Sequence, residues 1–344
     1  MGKNSKTIIS EDCNIIFSSL GDKLEKLNNS SLYVTGGSGF LGSWVYEIIN
    51  FLNLNLSYNT KLYLLDRKPK PEYIVLSKNI EYLQADVRSI SDIPDDVDYI
   101  IHAASSPDRK FNSINPLETM TSITEGTTSI LHVASRLSDL KNFLFVSSSD
   151  IYTHSNQDSI SEDSAGVPFN LSSGSFHSEA KRYAEMICGA ARNEVRIPIT
   201  TIRPFTFCGP YQSLDAPWAI NNFINDIIND REIKILGDGS TLRSYMYGSD
   251  FAAWCLVIML EGQSGEIFNV GSNHAISLLD LAKKVSDNSV KKPNILTNTS
   301  LTESISSGNL VPSILKAQDR FKLSIYTSID EAINKSIRWY EDNL

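Results

Sequence analysis

His177 and Lys181 stand four residues apart in the stretch SFHSEAKRYAE, 175–185 of a 344-residue chain. Positions i and i+4 share one face of a helix, so an imidazole and an ammonium are presented side by side. A neutral imidazole, with an ordinary pKa of about 6.5, accepts a proton near neutrality. The adjacent cation favours that neutral form. This is equipment for taking a proton from a hydroxyl. Upstream, SSSD at 147–150 offers three more hydroxyls and a carboxylate at the end of an apolar run. The other role open to Asp150 is a cap on a strand end.

A second constellation is VTGGSGFLGS at 34–43. Gly36, Gly39 and Gly42 are spaced three apart, and Gly37, Gly39 and Gly42 also fit G-x-G-x-x-G. Such glycines permit a tight turn and let backbone N–H groups approach a pyrophosphate. A helix starting near Phe40 and Leu41 adds its positive N-terminal end. Asp66 closes the next strand, where a carboxylate accepts hydrogen bonds from adenosine ribose hydroxyls and repels a 2′-phosphate. That combination points to NAD; Arg67, beside it, is the feature that favours NADP.

These side chains need a scaffold. SLYVTGG, KLYLLDR, IEYLQADV, VDYIIHAAS, KNFLFVSSSD and PITTIRPF read as strands, nearly continuous apolar runs of the kind buried on both faces. FLGSWVYEIINFLN, ITEGTTSILHVASRL and residues 175–192 read as helices between them. The alternation predicts an α/β fold, a doubly wound parallel sheet of Rossmann type with a smaller C-terminal α/β substrate lobe. Residues 1–30 form a helical prefix with Ile15, Ile16, Leu20, Leu24 and Leu27 at helical spacing. The cofactor domain is expected over 31–205, and 206–344 mainly as the lobe, interleaved with it. Further helices are expected near 217–230, 249–261, 277–287 and 328–343, and the polar run 288–312 as loop.

Bulk properties exclude several classes. The net charge is −9, which leaves no footprint for nucleic acid or an anionic membrane. The longest apolar run, Phe251–Leu260, is about half a membrane span and reads as a buried helix. Four scattered cysteines suit reduced thiols in the cytoplasm. No histidine pair has metal-ligand spacing: His102 reads as packing at a strand end, His132 lies in a helix, and His154 and His274 lie in loops. SEDSAG at 161–166 reads as a flexible segment and not as a calcium site.

Nine segments in order now carry a resemblance. They are the glycine loop, Asp66, ADV at 85–87, HAAS at 102–105, VSSSDIY at 146–152, SEAKRYAE with Lys181, RPFTFCGP at 203–210, GDGSTLRSYMYGSD at 237–250 and FNVGS at 268–272. From about residue 30 to 343 the chain resembles the extended short-chain dehydrogenase/reductases that modify nucleotide sugars. HAASSPDRKFNSINPLETMTSITEGT is most similar to their UDP-glucuronate decarboxylase branch. The resemblance implies that Asp86 and Val87 bracket the adenine and that Ala103, Ala104 and Ser105 line the cofactor. Lys181 would hold the nicotinamide ribose. Ser148 and Ser149, in preference to Ser147, would complete the catalytic set. Asp150 would be a second proton carrier at C5 or C6. It implies that Arg243 grips the substrate diphosphate and that REIKILGDG at 231–239 lies along the nucleotide base. Thr206 stands where the decarboxylase branch has an asparagine contacting the nucleotide sugar. His177 stands where the family has a tyrosine, and imidazole reaches roughly 2 Å less far, while a misplacement of about 1 Å already costs ~100-fold in rate.

The implied activity is NAD-dependent modification of a nucleoside-diphosphate sugar through transient C4 oxidation, of epimerase/dehydratase type. UDP-hexuronate decarboxylation, and a catalytically weak or silent NAD- and nucleotide-sugar-binding protein, stand as alternatives. A homodimer pairing the helices near 117–137 and 175–192 across a twofold axis is also implied.

Overall fold

In the computed structural model, alternate residues of each central strand face opposite sides, and both sides are apolar. Residues 1–106, 108–152, 159–164, 175–289, 291–298 and 309–344 are described; His154 and the last two residues of the 161–166 loop lie outside them. In β1 (Ser31–Thr35) Leu32 and Val34 enter one core and Tyr33 the other. In β2 (Lys61–Asp66) Leu62 and Leu64 enter the first, Tyr63 and Leu65 the second. With β3 (Ile80–Gln84), β4 (Tyr99–His102), β5 (Asn142–Val146), β6 (Ile199–Pro204) and the strand Ile267–Val270 they make a seven-stranded parallel sheet.

A sheet apolar on both faces requires helices on both. Among the described residues the helices are α1 (Lys3–Leu24), α2 (Phe40–Asn55), α3 (Arg109–Ile114), α4 (Pro116–Ala134), α5 (Phe176–Glu194), α6 (Ala219–Ile228) and α7 (Gly248–Glu261), with three more toward the C-terminus. Side chains of α1, α2 and α7 fill the first core, and those of α4 and α5 the second. The strand order runs Ile267–Val270, β6, β5, β4, β1, β2, β3. Direction of winding therefore reverses between β1 and β4, and the crevice at the C-terminal ends of these strands is where open α/β sheets bind dinucleotides.

The sequence-derived strands agree with the observed ones to within a few residues. Three differences have physical reasons. Helix α4 begins at Pro116, seven residues before the apolar repeat suggested, because proline suits the first helical position. In α1 the inward stripe uses Ile9 and Cys13 with Ile16, Leu20 and Leu24, while Ile15 is turned to solvent. The run 288–312 is not all loop: Ile295–Asn298 pairs in parallel with Ile233–Leu236, as an edge strand whose exposed side chains need not be apolar.

Helix α1 is not a loose appendage. It packs on α7, α2 and the last helix, Ile329–Glu341, and its buried Asp12 meets Lys335 Nζ at 2.5 Å and the Tyr247 hydroxyl at 2.9 Å. Burial holds the Asp12 carboxyl above the usual carboxylate range, against the pull of Lys335. Lys335→Met leaves that carboxyl without its cation, and the unfolding free energy is expected to fall by about 3–5 kcal/mol in urea titrations. A loss well under 1 kcal/mol would show that apolar packing alone docks α1.

Candidate active site

One cavity of about 730 Å³ lies along the C-terminal ends of the strands. Every residue proposed from the sequence as a site residue lines it except Gly42. Gly42 acts from behind: a Cβ there would stand 2.6 Å from the carbonyl oxygens of Gly36 and Gly37, so its absence lets α2 seat against the loop. Gly36 has φ +77°, a left-handed conformation that favours glycine. Gly39 is the N-cap of α2 and offers no side chain, so the first-turn N–H groups at Phe40 and Leu41 are left for a ligand at the cavity wall. This cradle fits a pyrophosphate.

Asp66 ends β2 on the same wall. Its Oδ2 accepts from the Ser38 N–H at 3.0 Å and the Ser38 hydroxyl at 2.8 Å, and its Oδ1 from the Lys68 N–H at 3.0 Å. Ser38 was not singled out from the sequence; its place between two glycines of the loop was the available signal. Arg67 is held by Glu118 at 3.0 Å, and Glu118 also binds Arg88, whose guanidinium grips Asp86. That grip, chiefly hydrogen bonding from Arg88, keeps the Asp86 carboxyl below its ordinary range. Arg67 is thus tied to a carboxylate beside Asp66. Val87, Ala103, Ala104 and Ser105 complete this end of the cavity. The set fits an adenosine diphosphate moiety with free ribose hydroxyls.

Catalytic candidates gather where β5 runs out against the first turns of α5. Lys181 is buried, and its Nζ donates to the Val146 carbonyl at 2.8 Å and lies 5.4 Å from the centre of the Phe145 ring. Burial pulls its pKa down to about 8. The Ser148 hydroxyl accepts from the Asp150 N–H at 3.1 Å, and Ser149 is buried at the cavity wall. Ser147 is spoken for: its hydroxyl donates to Glu185 at 2.5 Å. His177, the second residue of α5, points Nδ1 at the Asp150 carboxylate, 3.5 Å away. Spacing along the chain held no sign of this last pairing.

Behind these groups runs a polar network that the sequence analysis missed. Arg203 donates to both oxygens of Glu185, at 3.0 and 2.7 Å, to the Tyr152 hydroxyl at 2.9 Å and to the Glu162 carbonyl at 3.0 Å. Tyr152 in turn donates to Asn269 at 2.6 Å. Glu162, expected in a flexible segment, is pinned here; its carboxylate accepts from the Asn269 N–H at 2.8 Å. His102 belongs to packing, as expected. Thr127 gives its hydroxyl proton to the Ile123 carbonyl, so it accepts from Nε2–H of His102, and Thr35 donates to Nδ1. Burial, with the charge on Lys181, pushes this imidazole down to about 3.

At the far end the cavity is walled by Thr206, Arg243, Trp218, Asn222 and the strand Ile233–Leu236. Arg243 Nη1 donates to the Leu242 carbonyl at 2.8 Å. Asp250, which might have paired with Arg243, turns away: its carboxylate accepts from the N–H groups of Tyr326 and Thr327 and from the Thr327 hydroxyl. Beneath, Phe40, Phe207 and Phe251 stack with centroids 5.0 and 4.6 Å apart, joining the start of α2 to the second lobe.

The profile of the NAD dependent epimerase/dehydratase family matches residues 32–271. Among curated relatives, UDP-glucuronic acid decarboxylase 1 of Xenopus tropicalis is 23% identical over 93% of this chain and 74% of its own length. The dTDP-D-glucose 4,6-dehydratase of Bos taurus is 25% identical over 73% of this chain and 71% of its own. Among solved structures, the UDP-N-acetylglucosamine 4-epimerase of Methanobrevibacter ruminantium superposes with a TM-score of 0.79 at 18% identity, covering 92% of this chain and all of that one. At that identity the likeness speaks to the fold.

The depressed Lys181 sets a stability test with a definite sign. Because burial disfavours its charged form, the folded state is penalised below about pH 8 and relieved as pH rises from there toward the ordinary lysine range. Lys181→Met is expected to stabilise the ligand-free protein near neutral pH by about 1–2 kcal/mol, net of the donor lost to Val146, and less above pH 8. Denaturant melts across pH check it. Destabilisation near neutrality would show that the Val146 carbonyl more than offsets the burial of the ammonium.

Proposed function

The chain belongs to the NAD dependent epimerase/dehydratase family, and from that premise we propose that it modifies a nucleoside-diphosphate sugar by transient oxidation at C4 of the sugar. The observation that carries this reading is the convergence of Ser148, Ser149, Asp150, His177 and Lys181 on one cavity, between a glycine cradle and Arg243. When bound, NAD supplies a reversible acceptor for the hydride from the sugar carbon. The chain's part is binding, orientation and proton movement. Gly36, Gly39 and the first turn of α2 hold the pyrophosphate, and Asp66 accepts from the adenosine ribose hydroxyls. Lys181 holds the nicotinamide ribose. Arg243 clamps the substrate diphosphate, to which its guanidinium fork is suited. Ser148 and Ser149 orient the sugar hydroxyl, His177 takes its proton, and Asp150 stands ready to move a second proton once C4 is a ketone. Residues 31–205 carry the cofactor in this reading, and 206–344 mainly the nucleotide sugar.

Decarboxylation of a UDP-hexuronate is the second reading. It is favoured by the relative that covers 93% of this chain, a UDP-glucuronic acid decarboxylase. The test is to supply NAD with UDP-glucuronic acid, dTDP-glucose or UDP-glucose in turn and to follow products by mass spectrometry and NADH by absorbance. One of the three is expected to turn over, with a Ser149→Ala variant slower by about 10²-fold. If none reacts, yet NAD and a nucleotide sugar survive native purification together, the protein is a binding protein.

We also propose a homodimer in the cytoplasm. Supporting it, Leu117 on α4 and Tyr183 and Met186 on α5 are exposed at 76%, 60% and 70% on the outer side of the two packed helices. All four cysteines are free, and no helix among the described residues is long and apolar enough to cross a membrane. Light scattering is expected to give twice 38.3 kDa, and Met186→Glu to shift the protein toward half that mass. A monomeric wild type would refute the pairing.

A further inference from the structure

The imidazole of His177 is mostly buried, at 12% exposure, and its Nδ1 is shut off from solvent without a hydrogen bond of normal length. The carboxylate of Asp150 faces it at 3.5 Å, near enough to receive an Nδ1–H with a small rotation of either side chain. The separation is fixed from both sides. Asp150 sits in the turn Ser149–Tyr152, braced by its N–H on the Ser148 hydroxyl. The same turn is bound to α5 and its surroundings, through Arg182 to the Ile151 carbonyl and through Tyr152 to Arg203 and Glu185. Lys181 meanwhile directs its ammonium at Val146.

We propose that Asp150 is a positioning residue for His177: it accepts Nδ1–H and so keeps the Nε2 lone pair turned to the cavity as the proton acceptor. The inference rests on the C4-oxidation reading and specifies its base. In the oxidising direction the sugar O–H bond breaks and its proton forms an N–H bond at Nε2. With NAD bound as the acceptor, the C4–H electron pair would be given up to it while the carbonyl forms. Asp150 then faces an imidazolium and stabilises it, and the reverse transfer restores both. A carboxylate that fixes the tautomer of a general-base histidine is a recurring solution in nucleophilic enzymes. Here His177 would stand in for the tyrosine that the family has at this position.

Nitrogen-15 NMR of the histidine side chains reads the tautomer with no substrate or cofactor present. His177→Gln identifies its signal among the five histidines, in mildly alkaline solution where imidazoles are neutral. The expected result is Nδ1–H in the wild type. In Asp150→Asn the amide donates to Nδ1, the Nε2–H form takes over, and kcat falls about 10²–10⁴-fold with little change in KM. Asp150→Glu restores the tautomer and part of the rate. An Nε2–H tautomer in the wild type, or an unchanged tautomer in Asp150→Asn, overturns the pairing. If the tautomer is as expected but no nucleotide sugar is turned over, the pairing stands and C4 oxidation falls.

Discussion

The ion pair between Arg203 and Glu185 holds the active-site helix in place over the sheet. Both side chains are nearly buried, at 12% and 13% exposure, and a buried pair is worth keeping only when its remaining donors and acceptors are satisfied. Here they are. Arg203, on β6, reaches Tyr152 and Glu162; Glu185, on α5, takes the Ser147 hydroxyl. Asn269, on the neighbouring strand, closes the circuit through Tyr152 and Glu162. Two parallel strands, one helix, one loop and the segment that follows β5 thus share a single set of hydrogen bonds. His177 and Lys181 take their positions from that helix, and Ser148, Ser149 and Asp150 from the end of β5.

The two ends of the cavity are built on different principles. At the cofactor end the backbone does the work: carbonyls of the glycine loop approach the helix to within the space of a missing methyl group, and the helix start is left uncapped. Little there depends on side-chain rotamers. At the reacting end a buried lysine, a histidine and a carboxylate line the same wall, and what matters there is how side chains are buried. Lys181 is the clear instance, held down to about 8 by the same desolvation that keeps it ready for an electron-rich partner.

What could be read from the chain follows from range. The sheet was legible because strands covered on both faces are continuous apolar runs, and Tyr33, Leu64, Ile101 and Phe143 all lie buried in them. The cofactor loop was legible because its glycines are required by local backbone geometry. The inward face of α1 was misjudged at Ile15 because an apolar residue on a helix does not announce which neighbour it will meet. The edge strand Ile295–Asn298 was hidden in a polar run, since one parallel partner asks only for backbone groups. Resemblance alone sets Ser147 behind Ser148 and Ser149; the physical reason, Glu185 taking its hydroxyl proton, lies far along the chain. The pairing of Asp150 with His177 joins the turn after β5 to the start of α5, 27 positions on, and no local pattern encodes that.

Helix α1 is held by residues far along the chain, Ser5 by Asp342 at a separation of 337 positions and Asp12 by Lys335 at 323. Its start is bound by the Asp342 carboxylate, which accepts from the N–H and hydroxyl of Ser5, each at 2.9 Å, and Asp12 waits for Lys335. Helix α7, buried along nearly its whole length, packs on α1 and lacks that wall until these pairings form. Contacts of such sequence separation form late, and an apolar segment left open in the interval invites association with other chains. The glycine loop and its neighbouring strands draw on closer segments of chain, so the docking of α1 is the step of longest reach and the one whose delay leaves this core open.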